Sequence, residues 1–204
     1  MALVEPEAVV VLWHGRGANE AHVFAPLIGA LGPRFHAAAP NWDASAPDMG
    51  RGRLIDSLDE ASAVSTRRGV PFGVVGWSLG GTAALSLVRN RRTAPAVDFV
   101  IGLAADLREA SPLDRTIPSK LDQLHVPVVL VHGRHDTVVP FADAFRFEAE
   151  HRQHCRVELI DCDHAGIIGA EYDAESRQCL PSTASSAQAG LAAATRAITK
   201  AAGL

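Results

Sequence analysis

The chain has 204 residues, of which 48% are hydrophobic and 21% charged, so it can form one domain with a sizeable buried core. Its formal net charge of −4 gives no electrostatic reason to expect a nucleic acid or an anionic membrane as partner. The first apolar run, residues 8–13, is too short to span a bilayer, and no basic leader precedes it. We expect a single domain over residues 1–204, located in the cytoplasm and without a membrane span.

The cysteine content argues against a disulfide framework and against a zinc site. There are three cysteines, Cys155, Cys162 and Cys179, which is an odd number without metal-ligand spacing. We expect reduced thiols and no metal, with a Cys162–Cys179 pair as the alternative left open.

Short apolar runs alternate with helix-like stretches along the whole chain. The runs predicted as strands are residues 8–13, 35–39, 72–77, 97–103, 126–132 and 156–161. The predicted helices are residues 22–31, 53–68, 79–90, 142–151 and 188–202. Uniformly apolar strands separated by helices predict an α/β protein with a mostly parallel sheet covered on both faces. In such sheets ligands bind beyond the carboxyl ends of the strands, so the residues that follow each run are the candidates for a functional site.

A serine flanked by glycines follows the third predicted strand. Ser78 lies in the segment G-W-S-L-G-G, which has the pattern G-x-S-x-G between a strand and a helix. Small residues are needed there because the serine sits on a tight strained turn, and its position at a helix N-terminus favours negative charge. We therefore predict that Ser78 is a nucleophile; the alternative is a helix-capping serine in a glycine-rich turn.

An aspartate and a histidine follow the next strands at the same edge of the sheet. Asp136 lies in G-R-H-D-T-V-V-P, and it is expected to accept a hydrogen bond from a catalytic imidazole, unless it only caps the turn before Pro140. His164 follows the last strand in C-D-H-A-G, where it could take and return a proton near neutral pH. His135 is the competing histidine, but it is adjacent to Asp136 in sequence.

The first strand ends in the segment H-G-R-G-A-N, which suits one half of an oxyanion hole. We assign that role to the backbone N–H of Arg16, with Gly17 as the alternative, and the second donor to the N–H of Leu79. His14 is expected to order this segment. The Arg16 side chain could face a substrate carboxylate, but solvent or a local salt bridge is the favoured interpretation.

These four segments, in the chain order Ser, Asp, His, resemble the α/β-hydrolase superfamily. Within it, the chain is similar to the small phospholipase/carboxylesterase and dienelactone-hydrolase-like branches, although a dienelactone hydrolase would have cysteine at the position of Ser78. The resemblance covers nearly the whole chain. It implies an α/β-hydrolase fold and a triad of Ser78, Asp136 and His164.

Two segments depart from the larger members of that superfamily. No insertion is long enough for a cap domain, since residues 106–125 provide only a short flap. We expect residues 166–187 to form either a lid over the site or a mobile connection. Trp42 and Trp77 are candidates for the substrate pocket; equally, both could fill the core.

The expected activity is that of a serine esterase acting on small or short-chain esters, without a metal or organic cofactor. A thioesterase, an amidase or a peptidase would use the same triad, because all these acyl transfers pass through the same oxyanion. A non-catalytic binding protein with this fold is the other alternative. The expected partner is a small-molecule ester; the oligomeric state stays open.

Overall fold

The core of the protein is a six-stranded sheet in which every strand pair is parallel. The protein is seen here in a computed structural model, which describes residues 5–89, 97–121 and 124–204. In chain order the strands are β1 (Ala8–Trp13), β2 (Phe35–Ala38), β3 (Phe72–Trp77), β4 (Phe99–Leu103), β5 (Val128–Gly133) and β6 (Cys155–Ile160). Across the sheet the order is β2-β1-β3-β4-β5-β6. The parallel sheet predicted from the apolar runs is therefore confirmed.

Five α-helices connect or follow these strands, as predicted. They are α1 (Ala25–Leu31), α2 (Arg51–Arg68), α3 (Leu79–Ser86), α4 (Ala142–Glu150) and α5 (Ser185–Ala201). The predicted helices at residues 22–31 and 79–90 each include a 3₁₀ turn, Ala21–Phe24 before α1 and Leu87–Arg89 after α3. Asn90, the predicted end of the helix at residues 79–90, lies outside the described residues.

Helices cover both faces of the sheet, and β1 shows this directly because all six of its residues are fully buried. Val9 and Val11 pack into a cluster with residues of α2, α3 and α4. Val10 and Leu12 point the other way, into a cluster with residues of α1 and α5. Since successive side chains of a strand point to opposite faces, a doubly covered strand must be apolar throughout, as this one is.

The sheet order places a crevice between β1 and β3. The chain leaves β1 toward β2 on one side and continues through β3 to β6 on the other, so the winding direction reverses at this point. In open α/β sheets, ligands bind outside the carboxyl ends of the strands at such a reversal. The segments after Trp13 and Trp77 meet there.

The segment between His164 and α5 contains a hairpin, which was not predicted from the sequence. Strands β7 (Ala170–Asp173) and β8 (Gln178–Pro181) pair antiparallel. The turn between them is fixed by the Asp173 carboxylate, which accepts the N–H and hydroxyl of Ser176. Cys179 of β8 packs against the core cluster of α1 and α5. Whether the hairpin closes over the site as a lid stays a prediction.

The three cysteines are free thiols, and the alternative Cys162–Cys179 pair is not formed. Burial is the main reason that the pKa of Cys162 is raised to about 12 and that of Cys179 to about 11. In the part of the chain that the structure describes, no helix is both long and apolar enough to cross a membrane.

Candidate active site

Ser78 occupies a strained turn between β3 and α3. Its backbone has φ 55° and ψ −121°, a region that residues with a side chain rarely adopt, and its N–H donates to the Leu103 carbonyl at 2.9 Å. The flanking glycines make the turn possible. A Cβ on Gly76 would lie 2.1 Å from the Gly80 carbonyl oxygen, and one on Gly80 would lie 2.1 Å from the Trp13 carbonyl oxygen. The sequence therefore holds the Ser78 side chain at the carboxyl edge of the sheet.

His164 and Asp136 form a hydrogen bond, with Nδ1 of His164 2.8 Å from Oδ2 of Asp136. The other carboxylate oxygen of Asp136 accepts the backbone N–H groups of Val138 and Val139, each at 2.8 Å. Burial pushes the pKa of Asp136 up, but the hydrogen bonds from histidine side chains and from the backbone outweigh it and hold the pKa below its usual range. Asp136 is therefore an ionised acceptor that orients the imidazole.

A second histidine, His132, contacts the same carboxylate and was not identified from the sequence. Its Nε2 lies 3.2 Å from Oδ2 of Asp136 and 2.9 Å from the Val139 carbonyl oxygen, and its side chain is buried at the end of β5. A polar residue inside an otherwise apolar strand was the available signal. His132 gives Asp136 one more hydrogen-bonding partner besides His164.

Trp77 places His164 beside the turn that holds Ser78. The indole Nε1 donates to the His164 carbonyl at 3.0 Å, and the two rings pack with centroids 5.2 Å apart. Trp77 directly precedes Ser78, so these contacts bring the imidazole to the residue before the serine. Nε2 of His164 has no hydrogen-bond partner among the described residues, which leaves it available as a base.

The two predicted oxyanion donors are both free to bind a ligand. Neither the Arg16 N–H nor the Leu79 N–H donates a hydrogen bond to another residue in the described ranges. A Cβ on Gly15 would lie 3.4 Å from the Cβ of Ser78, so the Arg16 segment runs directly past Ser78. Whether these two N–H groups form an oxyanion hole stays a prediction.

Gly17, the alternative donor, is in contact with the Glu20 side chain. A Cβ on Gly17 would lie 2.0 Å from the Glu20 carboxylate, so this carboxylate lies directly against the Gly17 backbone. Burial is the main reason that the pKa of Glu20 is raised. Glu20 was not identified from the sequence, because its contact depends on the chain folding back over three residues. The geometry favours Arg16 over Gly17 as the backbone donor.

His14 joins this segment to the loop after β2. Its Nε2 accepts the backbone N–H of Trp42 at 3.2 Å, and its ring stacks on the Trp42 indole with centroids 5.2 Å apart. Burial lowers the pKa of His14 to about 4, so the ring is neutral near pH 7 and can accept that hydrogen bond. This matches the expected ordering role of His14.

Both tryptophans proposed for the pocket are buried, Trp42 with 2% and Trp77 with 5% of its surface exposed. Each belongs to one of the two core clusters. Their burial favours the alternative, that they fill the core, and a substrate contact for either stays a prediction.

The other candidate histidine is engaged elsewhere. His135 pairs with Asp161 at 2.6 Å, and both side chains are mostly exposed. Residues 5–89, 97–121 and 124–204 contain no group of three or more His, Cys, Asp or Glu side chains that could hold a metal ion.

A sequence model of a serine hydrolase family, FSH1, matches residues 40–165, which is more than half of the chain and includes Ser78, Asp136 and His164. The chain belongs to the FSH1 serine hydrolase family. The matched region of this FSH1-family protein excludes β1 and the Arg16 segment. No curated protein matches the sequence.

Solved structures with the same fold have low sequence identity to this FSH1-family chain. A soluble variant of monoglyceride lipase from Saccharomyces cerevisiae, in complex with a substrate analog, has a TM-score of 0.73 at 11% identity, covering 97% of this chain and 88% of that one. An esterase from Thermogutta terrifontis with bound propionate has a TM-score of 0.71 at 14% identity, covering 98% and 85%. Monoacylglycerol lipase from Paleococcus ferrophilus has a TM-score of 0.60 at 16% identity, covering 78% and 87%. These matches establish the α/β-hydrolase fold, and residues 5–89, 97–121 and 124–204 form no large cap domain.

Proposed function

We propose that this protein is a serine esterase that cleaves carboxylic esters of small or short-chain substrates through an acyl-enzyme on Ser78. The observation that carries the proposal is the His164–Asp136 hydrogen bond, located beside a strained turn that presents a serine. Strain at a single non-glycine residue costs free energy, and it is commonly retained where it positions a reacting group.

In the first half of the reaction, His164 Nε2 takes the hydroxyl proton of Ser78 while Oγ bonds to the ester carbonyl carbon. The carbonyl oxygen becomes an oxyanion that accepts the N–H groups of Arg16 and Leu79, each worth about 3 kcal/mol to the transition state. Ionised Asp136 stabilises the imidazolium through Nδ1. The carbonyl then re-forms, the ester C–O bond breaks, and the alcohol leaves with the proton from His164.

In the second half, water replaces the alcohol. His164 takes a proton from water as its oxygen attacks the acyl carbon, and the same two N–H groups hold the oxyanion. The bond to Ser78 Oγ then breaks, the proton returns to Oγ, and the carboxylic acid is released. One water is consumed for each ester, and the chain's own residues perform every proton transfer.

The preference for small esters rests on the modest covering of the site. Among the described residues, the longest segments that follow strands at this edge of the sheet are residues 39–50 after β2, residues 104–121 after β4, and the stretch after β6 that contains the β7–β8 hairpin. The Thermogutta terrifontis esterase, which shares the fold, has been obtained with bound propionate and also phosphorylated by paraoxon. A short acyl group and an organophosphate are therefore suitable first probes for this chain.

The test is hydrolysis of 4-nitrophenyl esters of increasing acyl length by wild type and by Ser78→Ala. We expect wild-type activity that is highest for short acyl groups and is abolished by the substitution. Ser86→Ala is the matched control, because Ser86 is a buried serine at the far end of α3, where its hydroxyl donates to the Ala83 carbonyl. Wild type that cleaves no ester, or Ser78→Ala that remains active, would overturn the proposal. Cleavage of thioesters in preference to esters would move the assignment to a thioesterase.

A further inference from the structure

The Arg16 side chain forms an exposed ion pair across the candidate site. Its Nη2 lies 3.1 Å from Oε1 of Glu109, with 65% of the Arg16 side chain and 48% of the Glu109 side chain exposed. In the described part of the chain no other contact of the guanidinium is seen. Since a guanidinium carries five N–H donors, most of them remain available to a ligand.

The ion pair connects the two segments that flank the nucleophile turn. Arg16 follows β1 and Glu109 follows β4, and these strands lie on either side of β3, which leads into Ser78. The β4 segment is fixed against the start of α3, because Thr82 Oγ1 donates to the Asp106 carbonyl at 2.8 Å. The guanidinium is therefore held at the crevice that a substrate of Ser78 must enter.

The backbone of Arg16 places this positive charge close to the reacting carbonyl. Its N–H is the proposed oxyanion donor, so the guanidinium lies within one arginine side chain of the scissile bond. A guanidinium matches a carboxylate with two parallel hydrogen bonds, which gives recognition as well as affinity.

The present partner of Arg16 can be displaced at low cost. Exposed ion pairs contribute little free energy because both charges are well solvated. Arg108, the neighbouring arginine on the β4 segment, is instead within 3.4 Å of Asp106 and 3.2 Å of Asp143. Arg16 is thus paired with one carboxylate, whereas Arg108 is paired with two.

We propose that the Arg16 guanidinium is a specificity-determining group that binds a carboxylate on the acyl part of the substrate, in competition with Glu109. The preferred substrates are then monoesters of short dicarboxylic acids. This inference rests on the proposed esterase function and names its substrate class.

The experiment compares monomethyl succinate with dimethyl succinate, which has the same chain without the free carboxylate. The quantity measured is the ratio of kcat/KM for the monoester to that for the diester. Hydrolysis of each ester is monitored by titrating the acid that is released at pH 7.5. We expect Arg16→Gln to lower this ratio about tenfold, and Glu109→Gln to raise it about threefold. Arg108→Gln is the matched control and should leave the ratio within about twofold of wild type.

Salt provides a second measurement on the unmodified protein. Because the recognition is electrostatic and exposed, the wild-type ratio should fall as NaCl is raised from about 0.05 to 0.5 M, and the ratio of Arg16→Gln should not. A ratio unaffected by Arg16→Gln, with the diester still cleaved, overturns the role of Arg16 and leaves the esterase proposal standing. If wild type cleaves neither these esters nor the 4-nitrophenyl esters, both proposals fail.

Discussion

His164 and Asp136 are joined through Nδ1 and Oδ2 at 2.8 Å, although they follow different strands of the sheet. A carboxylate can only accept, so Nδ1 carries the proton and donates it. The tautomer is thereby fixed with Nε2 unprotonated, on the side of the ring that Asp136 does not touch. This relationship makes the orientation of His164 depend on one buried carboxylate.

Replacing that carboxylate by an amide should disable the base while preserving the shape. We expect Asp136→Asn to lower kcat/KM for 4-nitrophenyl butyrate by about 10³- to 10⁴-fold, because an amide can donate to Nδ1 and favour the wrong tautomer. The control is Asp161→Asn, which alters the exposed His135–Asp161 pair and should change the rate less than twofold. Equal effects of the two substitutions would contradict the assignment of Asp136.

The nucleophile turn should tolerate no side chain at Gly76. In Gly76→Ala the new methyl group meets the backbone of Gly80 at 2.1 Å, and backbone cannot move aside as a flexible side chain can. We expect a loss of about 3 kcal/mol or more in the free energy of unfolding, measured by urea denaturation. Gly29→Ala in α1, where a Cβ meets nothing within 4 Å, should instead raise it by about 0.5–1 kcal/mol. A neutral Gly76→Ala would show that the turn relaxes more freely than its contacts indicate.

The two buried tryptophans should differ in their effect on catalysis. Trp77→Phe removes the N–H that donates to the His164 carbonyl, so we expect kcat to fall about five- to tenfold. Trp42→Phe removes a buried Nε1 that has no hydrogen-bond partner among the described residues, and it should lower kcat less. Steady-state kinetics with one short ester checks both. The order of the two effects is the decisive result, and a reversed order would assign Trp42 the larger role.

The fold was predicted well from the sequence because its strands are buried on both faces. β1 and β3 begin and end where their apolar runs do, since every residue of each is buried and the pattern has no ambiguity. The β7–β8 hairpin was missed because its strands are only four residues long, are largely exposed and carry no typical two-residue turn. A short exposed hairpin leaves little hydrophobic pattern to detect.

The candidate site was predictable as far as it depends on strand ends. Ser78, Asp136 and His164 each follow a strand at the same edge, so the parallel sheet alone places them near one another. The contacts of His132 and Glu20 were not found, because they depend on how far a side chain reaches in the folded protein. The burial of Trp42 likewise depends on the loop after β2, whose path is set by its contact with His14.

Acid should destabilise the protein through His14. Its pKa is lowered to about 4 in the folded state from an ordinary value of 6.5, so the unfolded chain binds more protons between these values. The contribution of neutral His14 to the free energy of unfolding is complete above pH 6.5. It is lost as the pH falls toward 4, by up to about 3 kcal/mol. Urea denaturation between pH 7 and 4.5 measures this loss. His14→Gln should show a shallower dependence over the same range, and an identical slope would contradict the prediction.

The most direct test of the central claim, that Ser78 is a nucleophile activated by His164, is covalent labelling with paraoxon followed by intact-protein and peptide mass spectrometry. We predict one diethylphosphoryl group per wild-type chain, located on Ser78, with no labelling of Ser78→Ala and strongly slowed labelling of His164→Ala. Wild type that stays unlabelled, or a label that persists on another residue in Ser78→Ala, would contradict the account.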